Sequence, residues 1–283
     1  MKHWLLLLCC LSSLCQADGA VWRVSKAGSQ LYLGGTLHLL SKADYPLPDG
    51  FDQAYQNAAK VVLETDIRLM QEPAFMQQIM ALMTLPAGQS LADKLSPATF
   101  TKLHDYLQAH GMQAKPLMGY KAAMLALILT KLEMQKLGLD QLGVDSHYLL
   151  KASEDGKALG FLETPEQQMG YLADMGAGQE DELVLYTLED MQSLPDMLTK
   201  LRHAWREADI KALEKEGIQP MLESHPALYT SLLKARNDNW LPQLVKMLQD
   251  KEVELVLVGA LHLVGPDGLL AQLAARGYQL EKL

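Results

Sequence analysis

The sequence predicts an α/β (α+β) fold: a central sheet with two pseudo-symmetric halves and a large helical insertion. Three observations carry this. Short apolar runs lie at 21–33, 60–65, 158–163 and 252–263; long stretches between them place Leu, Met and Ala at helical spacing; and two strand-end motifs recur in mirror order.

In order along the chain, Val21 to Ser25 and Gln30 to Leu33 read as strands joined by the turn Lys26-Ala27-Gly28-Ser29, a hairpin. A Pro/Gly/Asp loop around Tyr45 to Gly50 leads into a helix over Phe51 to Ala59. Lys60 to Thr65 is a short apolar strand ending in a carboxylate. Ile67 to about Leu142 reads mainly as helices with breaks near Pro86 and Gly111. A helix over Gly143 to Ala152 and a strand over Ala158 to Glu163 follow. Pro165 opens a helical stretch to about Asp250, broken near Pro195 and Gly217. Glu252 to Leu263 is a strongly apolar strand; Gly265 to Arg276 is a helix, and Gly277-Tyr278 returns to a terminal strand.

The N-terminus has a basic start (Met1-Lys2-His3), an apolar run from Trp4 to Leu14, and the small-x-small exit Cys15-Gln16-Ala17. This pattern predicts a secretory signal over 1–17, export to the periplasm or medium, and a single domain over 18–283. Leu14 before Cys15 argues against a lipoprotein anchor, and no later apolar run is long enough to span a bilayer. All three cysteines (Cys9, Cys10, Cys15) lie in the signal, so the mature chain is expected to hold no disulfide and no thiolate nucleophile. A net charge of −9, dispersed along the chain, argues against nucleic acid as a partner. The sequence has no Gly-x-Ser-x-Gly and no His-Glu-x-x-His, which removes the α/β-hydrolase and zincin readings.

The recurring motifs carry the functional argument. Leu33-Gly34-Gly35-Thr36-Leu37-His38-Leu39 matches Leu257-Val258-Gly259-Ala260-Leu261-His262-Leu263, and Val62-Leu63-Glu64-Thr65 matches Phe161-Leu162-Glu163-Thr164. Ligands in open α/β sheets sit at the carboxyl ends of strands, and glycine three residues before each histidine permits close backbone approach. His38, Glu64, Glu163 and His262 are therefore candidates to share one cleft. Imidazole plus carboxylate suits a divalent metal such as zinc, manganese, cobalt or iron, which would polarise a carbonyl and generate hydroxide. Without a metal, a Glu–His pair can activate water. Glu163-Thr164-Pro165 also reads as a helix start, with Thr164 as N-cap.

A helix from Ala227 puts Leu228, Leu232, Leu233, Trp240 and Leu244 on one stripe, with Arg236 on that stripe and Pro242 as a kink or restart. A charge on a core face needs a partner, so Arg236 is expected to orient Glu64 or Glu163, or to stabilise an oxyanion. Asp145 and His147 fall near a helix start, where His147 reads as surface. Gly265-Pro266-Asp267-Gly268 can present N–H groups beside His262. The Met-rich insertion from Ile67 to Leu142 is placed to form a lid or groove.

The motifs GGTLHLL, VVLETD, GVDSHYLLKASEDGKALGFLETPEQQ, KARNDNW and LVLVGALHLVGPDGLLAQLAARGY, spread over the whole mature chain, resemble the TraB/GumN family, whose animal relatives are the Tiki proteases. The resemblance implies a catalytic centre of two Gly-x-x-His motifs and a glutamate, here His38, His262 and Glu64. The Tiki members are manganese- or cobalt-dependent proteases, and the wider superfamily includes erythromycin-esterase-like hydrolases and haem-binding members. The expectation is an exported hydrolase, a metal-dependent peptidase acting on a peptide or small molecule. His38, Glu64 and His262 would hold the metal or activate water, Glu163 would complete the shell or act as base, and Arg236 and Asn237 would position substrate. The alternatives are a haem-, metal- or peptide-binding protein without turnover, and a metal-independent esterase.

Overall fold

A computed structural model describes residues 19–283; the proposed signal, with its cleavage site and cysteines, lies outside the described residues. Strands β1 (Val21–Lys26), β2 (Ser29–Thr36), β4 (Lys60–Leu63), β6 (Ala158–Phe161), β7 (Glu254–Gly259) and β8 (Gln279–Lys282) form a six-stranded sheet in the order β6-β4-β7-β2-β1-β8. Strands β3 (Leu39–Leu40) and β5 (Gln141–Leu142) form a small second sheet. The hairpin β1–β2 is antiparallel, as the turn chemistry predicts, and the terminal strand β8 pairs antiparallel with β1.

The middle of the sheet is parallel: β2 with β7, β7 with β4, and β4 with β6. Their carboxyl ends therefore stand side by side, with Thr36 in register with Gly259, and Leu63 with both Leu257 and Phe161. The mirror order of the motifs becomes a spatial order across the sheet. Glu163 follows β6, Glu64 follows β4, His262 follows β7 and His38 follows β2. Strand β7 stops at Gly259, short of the predicted end, and His262 sits in a 3₁₀ turn over Ala260–His262.

The helices are α1 (Asp49–Asn57), α2 (Pro73–Met83), α3 (Pro97–Ala109), α4 (Ala122–Lys136), α5 (Val144–Glu154), α6 (Pro165–Ala173), α7 (Glu180–Arg206), α8 (Ile210–Leu213), α9 (Gln219–Ser224), α10 (Pro226–Tyr229), α11 (Ala235–Met247) and α12 (Leu269–Ala275). The sheet core packs Leu31, Leu33, Val61 and Leu255 with Phe51, Trp205 and Trp240. The insertion has its own core, where Leu103 and Leu107 of α3 meet Leu125 and Leu129 of α4 and Val184 and Leu188 of α7. Helix α7 spans 27 residues, roughly 40 Å at 1.5 Å per residue, and serves both cores. Leu183 to Leu188 pack in the insertion, and Leu201, Ala204 and Trp205 pack against the sheet.

Two prolines expected to interrupt helices lie inside them. Pro195 lies inside α7 and Pro242 inside α11. A helix-interior proline loses one hydrogen bond and crowds the preceding turn at about 3 kcal/mol, and packing on either side of each proline outweighs that. The stretch is interrupted instead by the turns that follow α6 and α7 and by two π turns, Glu214–Ile218 and Thr230–Lys234, the first at the break expected near Gly217. Gly217 lies in the first because a Cβ there would stand 2.4 Å from Leu261 Cδ2. Among the described residues no helix is long and apolar enough to cross a membrane.

Candidate functional site

The π turn just before α11 inserts an extra residue, after which Arg236 and Asn237 both turn inward and are buried. Arg236 is 9% exposed. Its Nε and Nη2 donate to Glu163 Oε2 and Oε1 at 3.2 and 2.6 Å, and Nη2 also donates to Glu64 Oε2 at 2.5 Å. Nη1 meets Leu232 O at 3.4 Å and His262 Nε2 at 3.1 Å. Guanidinium has five N–H donors, and this geometry engages all of them. Of the two roles expected for Arg236, the structure provides the orienting one, since no donor is left for an oxyanion. The Trp240 ring covers the guanidinium, 4.6 Å from centroid to Cζ.

Asn237 settles the protonation of His262. Its Nδ2 donates to two carbonyls, His262 O at 3.1 Å and Asp267 O at 2.9 Å, so its Oδ1 is the atom that faces His262 Nδ1 at 2.7 Å. Nδ1 must carry the hydrogen, which leaves the Nε2 lone pair to accept from Arg236. Burial pushes the imidazole down to about 3 and His262 is neutral. The Gly265–Gly268 loop, expected to aim N–H groups at the cleft, instead supplies the Asp267 carbonyl that holds Asn237.

Glu64 accepts from the Gly259 N–H at 2.6 Å through Oε1, and from Gln168 Nε2 at 3.1 Å through Oε2. Burial opposes its charge, but the flanking imidazoles, Arg236 and the Gly259 N–H outweigh it and hold the carboxyl at about 2. Glu163 is shifted the other way, pushed up by burial despite Arg236. Thr164 caps α6 with Gln167 in a capping box and Pro165 follows, as the helix-start reading expects, while Glu163 just before it pairs with Arg236.

His38 is unlike its counterpart: 66% of its side chain is exposed, against 5% for His262. Its Nδ1 lies 3.3 Å from Asp145 Oδ1. The second turn of the chain that makes this contact is well anchored. The Val144 N–H donates to Leu37 O at 3.1 Å, β5 pairs with β3, and a Cβ on Gly143 would stand 2.3 Å from Leu37 O and His38 O. Asp145 raises the His38 imidazole to about 9, an attraction that water around so exposed a ring screens. Three side chains border Gly259, where an added Cβ would lie 3.4 Å from Glu64 Oε1, 3.5 Å from His262 Cδ2 and 4.0 Å from His38 Nε2. Gly35, the other motif glycine, is required for packing: a Cβ there would lie 2.9 Å from Leu263 Cδ1 and 3.0 Å from Ala260 Cα.

Above these groups is a cleft of about 430 Å³, with His38, Glu64, Asp145 and Arg236 on its polar side. Glu163, Asn237 and His262 lie behind them, so the six residues singled out in the sequence come together with only part of the set facing the cleft. Asp145, a weaker candidate in the sequence, joins the site, and so do Gln168 and the Gly259 N–H, which were not singled out. The local signal for Asp145 is weak, an acidic residue in the first turn of a helix after glycine.

The donor set does not fit the shared divalent ion that the resemblance implies. Arg236 already bridges both carboxylates, and the one unprotonated nitrogen of His262 accepts from it. A metal among Glu64, Glu163 and His262 would sit against a fixed positive charge. His38 has its Nδ1 toward Asp145, outside that set. Among the described residues no group of three or more His, Cys, Asp or Glu side chains is arranged to hold a metal ion.

Comparison with known proteins places this architecture among relatives. The chain is 26% identical over 242 residues to the protein YbaP of Escherichia coli strain K12, described as uncharacterized, covering 84% of this chain and 85% of YbaP. The Shigella flexneri YbaP matches to the same extent. No solved structure matches. The TraB/PrgY/gumN family matches residues 20–282, which takes in every strand of the sheet and all the residues of the site. The chain belongs to the TraB/PrgY/gumN family.

Proposed function

We propose that this protein is a hydrolase that cleaves an amide or ester bond by general acid–base chemistry, with water as nucleophile and His38 as the proton carrier. One observation carries the reading: His38 Nδ1 stands at ion-pair distance, 3.3 Å, from Asp145 Oδ1, and His38 lines the cleft together with the ionised Glu64. A water bound to Glu64 Oε1 attacks the substrate carbonyl carbon and gives its proton to His38 Nε2. His38 returns that proton to the leaving nitrogen or oxygen as the carbon–heteroatom bond breaks. Arg236 keeps Glu64 ionised and fixed, and neutral His262 completes the donor shell around Arg236. The reaction is metal-independent on this reading, and the substrate is a peptide or small molecule. The N-terminal pattern supports export to the periplasm or medium, which the mass of the mature N-terminus tests.

The test is hydrolysis of an ester and amide panel by the mature protein, with and without chelator, beside His38→Gln and Glu64→Gln. Wild-type turnover is expected to survive chelator and to fall about 10²–10⁴-fold in His38→Gln with Tm unchanged, because the ring is exposed. Full activity in His38→Gln refutes the mechanism. Activity lost to chelator and restored by manganese, cobalt or zinc returns the reaction to a metal-dependent peptidase. A ligand retained at unit stoichiometry with no turnover makes the protein a binder.

A further inference from the structure

A second cavity, of about 680 Å³, shares no residue with the cleft. It is a groove between two helical walls. On α7, Tyr186, Asp190, Ser193, Met197 and Lys200 recur at three- and four-residue spacing and so share one face. The opposite wall is the first π turn and α9, where Glu216, Pro220 and Ser224 recur every four residues, with Gly217, Met221 and His225 one position behind. Leu261, packed against Gly217, lines the groove between the walls. The volume is in the range of small-molecule sites.

The lining describes the ligand. Four carboxylates, Glu189, Asp190, Asp196 and Glu216, face one lysine, Lys200, and that lysine is already paired to Glu216 at 3.2 Å. At one end the Tyr186 and His225 rings stand 4.0 Å apart. Burial and the Asp190 charge push the Tyr186 phenol up to about 12, so it stays neutral beside that carboxylate. Burial pushes Asp190 up as well, and the group that opposes this is the His225 imidazole rather than a lysine or an arginine. A half-buried carboxylate without a fixed cation gains when one arrives, and an aromatic face beside it suits an organic cation. Met197, Leu201, Met221 and Leu261 supply an adaptable apolar surface for an aliphatic stem. Asp196 lies six residues beyond Asp190, about 9 Å along α7, so one ammonium cannot serve both. Among the described residues these carboxylates make no group of three arranged to hold a metal ion.

We infer that this groove binds a linear aliphatic polyamine, with one ammonium at Asp190 against the Tyr186–His225 rings, its methylene chain over Met197, Met221 and Leu261, and a second ammonium at Asp196. The groove is separate from the cleft, so the inference stands or falls apart from the hydrolase reading.

The test is calorimetry on the full mature chain at physiological ionic strength, where weak surface attraction is screened. The probes are spermidine, n-butylamine (the chemistry of a lysine side chain) and magnesium chloride. Spermidine is expected to bind one to one and at least about tenfold more tightly than n-butylamine. Asp190→Asn should weaken spermidine about tenfold while Tm holds or rises, because the variant removes a carboxylate that no lysine or arginine neutralises. Asp196→Asn, at an exposed position, should weaken it about threefold and leave Tm unchanged, so it decides the matter if Asp190→Asn fails to fold. No spermidine binding, or affinity unchanged in the folded variants, overturns the inference. Equal affinity for n-butylamine overturns the polyamine class and leaves a site for a single ammonium. Displacement of spermidine by an equal concentration of magnesium would show diffuse charge attraction only and overturns the site.

Discussion

Replacing Arg236 by methionine keeps much of the side-chain volume but leaves Glu64 and Glu163 buried together without the cation they share. Glu64 Oε2 keeps only Gln168, and Glu163 and His262 Nε2 lose the guanidinium altogether. Removing one partner of a buried ion pair costs about 3–5 kcal/mol, and with two carboxylates stranded the upper end of that range is expected at pH 7. The pH dependence has a definite sign. In the wild type, Glu64 is held at about 2 against an ordinary 4.5, so its stabilisation is complete above pH 4.5 and drains as the pH falls toward 2. His262 is held at about 3 against 6.5, so the unfolded chain binds its proton first and stability also falls from pH 6.5 toward 3. In the variant the two carboxyls lie above their ordinary range. They cost stability at neutral pH and recover it as they protonate. Urea unfolding at pH 7 and pH 5 should therefore show a gap between the two proteins that narrows on acidification. Adding Glu163→Gln to Arg236→Met should narrow it at pH 7 as well. A gap below about 1 kcal/mol at pH 7, or one independent of pH, would refute a buried, charge-balanced centre.

The two motif glycines should separate stability from activity. Gly35→Ala drives a methyl against Ala260 and Leu263 and should cost about 1–3 kcal/mol in urea unfolding, whereas Gly259→Ala meets only ordinary contacts and a φ of −50°, so Tm should hold while turnover falls. Asn237→Leu strands the His262 N–H and two carbonyls and should lower stability by about 2–4 kcal/mol by the same unfolding assay; an effect below 1 kcal/mol would mean water replaces the amide. For Asp145→Asn the kcat/KM profile is the readout. The wild-type rate should rise with pH through a His38 pKa above 6.5, and the variant should shift that limb down toward 6.5 with a lower plateau; an unmoved limb would separate Asp145 from the reacting proton.

The parallel strands were readable because each is a short run of buried apolar residues, such as KVVL in β4 and ELVLVG in β7, that ends in glycine or a polar residue. Arg236 was readable as a charge on an apolar stripe. Asp145 was not, because it reaches His38 through the docking of Gly143 on the Leu37 carbonyl and through the β3–β5 pair, contacts across about a hundred positions that no local pattern encodes. The inequivalence of the histidines was hidden for the same reason. Gly-x-x-His-Leu is the same string twice, but Asn237 and Trp240 close over His262 while only Asp145 reaches His38. The π turn before α11 was unreadable because one inserted residue leaves the apolar spacing nearly intact.

The donor pattern of two carboxylates and a buried imidazole nitrogen predicts a cation at the centre, and that logic is sound: such charges are not buried without one. What spacing cannot tell is who supplies it. A guanidinium on α11 holds Glu64, Glu163 and His262 Nε2 together as a divalent ion would, with planar, directional donors and at every pH where the fold exists. Its cost is that no coordination site remains open to polarise a substrate. On the proposed mechanism the chemistry falls to the histidine that the centre does not bind, His38, which lines the cleft. The asymmetry between the two Gly-x-x-His motifs then has a physical meaning: one histidine completes the charge centre, and the other stays exposed on the cleft, where the proposed mechanism has it carry the proton.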